Sequence, residues 1–146
     1  MKKLLLLLTL TLSLTAFSQI GEVKNNLEEA ILVGYNNNMT KFHKLSYKIV
    51  DDQKRYTLHY RNMIYQSLDE YASFSFYATD EEIEYLYNFF LEQRTDKTGK
   101  TIELGKNKIS AKKIGVSVRI SDLTTGVLDN YFWLSKKDLE RLFGRR

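Results

Sequence analysis

The sequence predicts an α+β fold of two layers, an antiparallel β-sheet with helices packed on one face. Three observations predict it. Apolar and polar residues alternate at period two through much of 43–60, 71–78 and 116–133, the mark of half-buried strands. Two of these strands run into a Ser/Thr cap with an acid three residues on, followed by an apolar stripe at helical spacing. The length of 146 residues, with 43% hydrophobic and 27% charged side chains, suits one domain with one core.

The first segment reads as an address. Lys2 and Lys3 precede an apolar run from Leu4 to Leu14, and Ala16 and Ser18 supply the small residues that signal peptidase reads. Residues 1–18 are therefore expected to be a cleaved signal peptide, leaving a single α+β domain over 19–146. The apolar run is short for a membrane span, and no cysteine follows it for lipid attachment. Export without cysteine points to a bacterial periplasm or to secretion.

Residues 22–33 are expected to form an amphipathic helix, with Val23, Leu27, Ala30 and Ile31 on one face. Gly34 would end it, and Asn36-Asn37-Asn38 would be a polar loop. His43, Leu45, Tyr47 and Ile49 then alternate with Lys44, Ser46 and Lys48, giving a strand. Asp51 to Lys54 reads as a hairpin turn, and Tyr56, Leu58 and Tyr60 return as the next strand. Residues 71–78 form another, with Ala72, Phe74, Phe76 and Ala78 on one face.

Thr79 and Glu82 make a capping box, and Asp80, Glu81 and Glu82 complement the positive end of the helix dipole. Ile83, Leu86, Tyr87 and Phe90 are the buried stripe. Residues 101–104 and 108–113 suggest a lysine-rich hairpin around Gly105-Lys106-Asn107. Val116, Val118 and Ile120 mark a strand, Thr124-Thr125-Gly126 a turn and 127–134 a strand. Ser135 caps a final helix with Asp138 at N3 and Leu134/Leu139 as a hydrophobic staple.

The two halves correspond at an offset of 56 residues. Phe76-Tyr77-Ala78-Thr79 aligns with Phe132-Trp133-Leu134-Ser135, and Leu86-Tyr87 with Leu142-Phe143. This is a ββ(β)α pseudo-repeat. Duplication and convergence on a shared strand-to-helix pattern both account for it, because the match fades upstream.

Composition excludes several function classes. Without cysteine there is no disulfide framework, thiolate nucleophile or Cys-ligated metal. His43 and His59 fall on opposite strand faces, which disfavours a paired metal site. Ser110-Ala111-Lys112-Lys113 and Lys97-Thr98-Gly99 resemble motifs of penicillin-interacting enzymes, but their order is reversed and Ser110 lies in a strand. No catalytic constellation, metal site or cofactor is expected, and the chain reads as a non-enzyme.

What remains is surface. Alternation turns Thr57, His59, Arg61, Tyr71, Ser73, Ser75, Tyr77, Ser117, Arg119, Ser121, Tyr131 and Trp133 away from the helices. Of these, Tyr77, Arg119, Tyr131 and Trp133 are the expected partner-binding anchors, being the residue types that dominate interfaces. The competing reading is that cross-strand aromatics simply stabilise a half-wet sheet. Charge is segregated as well. Residues 19–96 hold 8 basic and 13 acidic groups, whereas residues 97–146 hold 12 and 5. Lys106, Lys108, Lys112 and Lys113 form an expected anion-attracting patch. The expected activity is therefore non-catalytic binding in the envelope, to another protein in the manner of an immunity or inhibitor module. The alternative is an anionic lipid or glycan held on the exposed sheet face, with peripheral membrane-surface contact. Nucleic acid is not expected to be a partner of an exported chain.

Overall fold

The computed structural model describes residues 29–38, 41–64, 67–112, 117–122 and 128–145. The expected signal peptide over 1–18, the expected helix over residues 22–28, Lys113, Val116 and the turn expected at Thr124–Gly126 lie outside the described residues. Among the described residues, eight strands and two helices follow in order. They are β1 (Ile31–Asn38), β2 (Lys41–Val50), β3 (Gln53–Arg61), β4 (Tyr71–Tyr77), α1 (Asp80–Gln93), β5 (Lys100–Leu104), β6 (Asn107–Lys112), β7 (Ser117–Asp122), β8 (Leu128–Trp133) and α2 (Lys136–Leu142).

The class is α+β. The strands divide into two four-stranded antiparallel meanders, β1–β4 and β5–β8, rather than one continuous sheet. Each meander is followed by one helix, so the repeated unit is ββββα. The upstream fading of the repeat has a structural cause. The strands of the first sheet run 8, 10, 9 and 7 residues and those of the second 5, 6, 6 and 6, so the offset holds only across the last strand and its helix.

Both caps form as the sequence dictates. Thr79 Oγ1 accepts from the Glu82 amide at 3.3 Å, and the Thr79 amide donates to Glu82 Oε2 at 2.8 Å. In α2 the Asp138 amide donates to Ser135 Oγ at 3.1 Å and the Ser135 amide to Asp138 Oδ2 at 3.0 Å. Each box satisfies two backbone donors that a bare helix start would leave orphaned.

The N-terminal expectation needs correction. Residues 31–33 and the asparagine run belong to β1, an edge strand paired with β2, and not to a helix and loop. Gly34 is not a helix stop. A Cβ built there would lie 2.0 Å from the Arg141 carbonyl oxygen and 2.6 Å from that of Leu142, so its missing side chain lets α2 press on β1. Asn36 is 2% exposed and donates through Nδ2 to Asp138 Oδ1 at 2.6 Å, while Arg141 Nη1 donates to Asn36 Oδ1 at 3.3 Å. The polar residue that suggests a loop is a buried strand residue with partners on α2.

The helices cross between halves. The second half's α2 packs on β1 and β2, and the first half's α1 reaches β6 and α2. Phe143 meets Tyr87 and Phe90 edge-on, and the Arg145 guanidinium lies over the Tyr87 ring and pairs with Glu84. The sheets also touch directly. The Met63 amide donates to the Tyr131 carbonyl at 2.9 Å, and Phe132 packs on Tyr60 with ring centroids 4.6 Å apart. One hydrophobic cluster results, drawn from both sheets and both helices. Burial of that apolar surface is the principal stabilising term.

Candidate functional site

Register divides each sheet into an inner and an outer face. On the first sheet, Leu45, Leu58 and Phe74 stand in one inner row and Tyr47, Tyr56 and Phe76 in the next. The outer rows are Lys48–Arg55–Tyr77, Ser46–Thr57–Ser75 and Lys44–His59–Ser73, with Tyr35 opposite Lys44 on β1. On the second sheet, Ala111, Val118 and Phe132 point inward. Its outer rows are Thr101–Ser110–Arg119–Tyr131, Lys112–Ser117–Trp133 and Glu103–Lys108–Ser121. Each outer face carries a threonine–serine hydroxyl pair across two strands, Thr57–Ser75 at 2.9 Å and Thr101–Ser110 at 2.8 Å.

Three of the four expected anchors come together. Arg119 is exposed and stands directly opposite Tyr131. Tyr131 and Trp133 lie two residues apart on β8, with ring centroids 6.0 Å apart and planes at 56°. Trp133 is 38% exposed. Lys112 shares the outer row of Trp133, two strands away, so both cations of this face lie on the β7 side of the aromatic pair. Lys108 shares this face opposite Glu103, and Lys106 occupies the β5–β6 turn. Lys113 lies outside the described residues.

Tyr77 stands apart from the other three. It is 53% exposed on β4, opposite Arg55. Tyr131 is bonded to Met63, beyond the other end of β3, and Arg55 and Arg61 are six residues apart along that strand, roughly 20 Å. Equivalent positions in the two halves thus fall on two separate sheets. That separation arises from the division of the strands, which alternation within each strand does not encode.

Tyr77 instead borders an open cleft of about 420 Å³, lined also by Asp52, Lys54, Thr79, Asp80, Glu81 and Glu82. Lys54, Asp80 and Glu82 of this lining are committed to structure. Lys54 Nζ donates to both Asp80 oxygens at 2.6 Å, and the Tyr56 hydroxyl donates to Asp80 Oδ1 at 3.2 Å. The Lys54 hydrogen bond, then that of Tyr56, holds the Asp80 carboxyl below its usual range. Burial, followed by the Asp80 carboxylate, pushes the Tyr56 phenol up. This cluster fastens the β2–β3 hairpin to the first turn of α1.

The histidines separate as their strand positions require. His43 is buried, with its ring 5.3 Å from that of Phe132. His59 lies on the outer face, where desolvation and then the nearby Lys44 lower its pKa. Among the described residues no group of three or more His, Cys, Asp or Glu is placed to hold a metal ion. No family model, no curated protein and no solved structure matches the chain.

Proposed function

We propose that the chain is an exported, non-catalytic binding protein of the bacterial envelope, which engages a protein partner through the outer face of its second sheet. The carrying observation is the exposed Trp133 beside the half-buried Tyr131, with exposed Arg119 opposite Tyr131. Aromatic and arginine side chains contribute most to protein interfaces, and here they are mounted on paired strands rather than on a loop. The leader-like start, with Lys2, Lys3, the leucine run and Ala16/Ser18, supports export. The reading is an inhibitor- or immunity-type one, in which a rigid face blocks or shields another protein.

The test uses a photo-crosslinking residue at Lys112, which shares the outer row of Trp133 two strands away, in the otherwise intact chain within cells. One discrete adduct of defined mass is expected, and Trp133→Ala should abolish it. The same substitution should weaken binding of the isolated partner by about 2 kcal/mol or more. It should leave unfolding free energy within about 1 kcal/mol, as befits a ring at the surface. An adduct that persists in Trp133→Ala, or the lack of a discrete adduct, would overturn the proposal.

A further inference from the structure

The first sheet's outer face is a different surface with its own chemistry. β1, β2, β3 and β4 contain no aspartate or glutamate. Asp51, Asp52, Asp69, Asp80, Glu81, Glu82, Glu84 and Glu92 sit in turns and on α1, off these strands, so this sheet's outer face is cationic within a half of net negative charge. Lys48 and Arg55 are direct cross-strand neighbours, as are Lys44 and His59. Four residues separate the two pairs along each strand, about 13 Å. Between them lies the hydrogen-bonded Thr57–Ser75 hydroxyl pair. Exposed tyrosines stand at opposite corners, Tyr77 beside Arg55 and Tyr35 beside Lys44. No ion pair engages Lys44, Lys48 or Arg55 among the described residues.

We infer that this face binds an acidic polysaccharide, laid along the strands with its carboxylate or sulfate groups on the Lys48–Arg55 pair and on Lys44. Charge complementarity selects an anion, and the separation of Lys44 from the Lys48–Arg55 pair selects a polymer whose charges are separated by neutral chain. The hydroxyl pair between the rows matches the hydroxyls of intervening sugar rings. Tyrosine offers a flat face for a ring and a polar tip for hydrogen bonding. Tyrosines hold two corners of this face, and Leu32, 49% exposed, stands opposite Ser46 on it, so lipid vesicles are the competing ligand that the test includes. The site does not depend on the Trp133 face, so either assignment stands or falls alone.

The experiment measures binding of the leaderless chain, residues 19–146, to polygalacturonate, neutral dextran and phosphatidylglycerol vesicles. Polygalacturonate should bind, dextran should not, and added salt should weaken binding. Lys44→Gln/Lys48→Gln/Arg55→Gln should weaken it at least tenfold and flatten the salt dependence, since fewer counterions are exchanged. Tyr77→Ala, which removes no charge, should weaken it several-fold. Lys112→Gln/Arg119→Gln, on the other sheet, should change it less than twofold. Far-ultraviolet circular dichroism melts check that each variant is folded. Failure to bind polygalacturonate, vesicle binding in its place, an unaffected triple variant or equal loss in the second-sheet variant would each overturn the inference.

Discussion

Asp51 and Asp52 both hold positive φ, 50° and 60°, at the tip of the β2–β3 hairpin. Val50 pairs with Gln53 across them, so the loop is the two-residue turn whose twist matches antiparallel strands. The sequence shows a turn there, and the left-handed backbone adds a cost that glycine would not bear. Asp52→Gly should therefore stabilise the protein by about 0.5 kcal/mol, read as a higher denaturant midpoint at unchanged slope. Asp80 acts through charge instead. Its folded pKa is depressed, so its contribution is present above the unfolded value of about 4 and fades as pH falls through the folded value. Asp80→Asn should lower stability at neutral pH and make the decline between about pH 5 and 2 shallower. Melts of both proteins across that range check the sign. A parallel offset at every pH would contradict it.

At the scale of elements, the two capping boxes look alike in sequence but not in surroundings. Glu82 of α1 is exposed, whereas Asp138 of α2 is 4% exposed and serves both the Ser135 amide and Asn36. Removing a buried charged acceptor leaves its donors unsatisfied. Asp138→Ala should thus cost about 2–3 kcal/mol and Glu82→Ala under about 1 kcal/mol, compared in denaturant melts. The same pair shows what was legible in the sequence. Caps, alternating strands and the β5–β6 hairpin depend on residues a few positions apart, and each stands where local pattern puts it. β1 does not, because Gly34 and Asn36 answer to residues more than 100 positions away on α2. Within the candidate site, alternation places Tyr131 and Trp133 on one face because they share a strand. It cannot separate Tyr77, since which strands share a sheet is settled by tertiary pairing. The cationic rows of the first sheet were individually visible as Lys44, Lys48 and Arg55, but only register makes Lys48 and Arg55 neighbours.

For the whole molecule, the crossing of helices sets the cooperativity. Two ββββα units that each covered their own sheet would unfold separately. Here α2 covers β1 and β2 of the other unit, Phe132 rests on Tyr60, and β8 is tied to Met63. Neither sheet keeps its apolar cover without the other half, so a loss in one is a loss to both. Trp133 is the only tryptophan and stands on β8 of the second sheet. Leu58 is buried in β3 of the first. Leu58→Ala should cost about 2–5 kcal/mol, the usual loss for an aliphatic core truncation. If the fold is one cooperative unit, that lesion moves the Trp133 emission transition to lower denaturant, coincident with the far-ultraviolet circular dichroism transition. A Trp133 transition that stays in place while circular dichroism shows an earlier step would mean that the second sheet survives alone. The contacts across the halves would then be too weak to couple them.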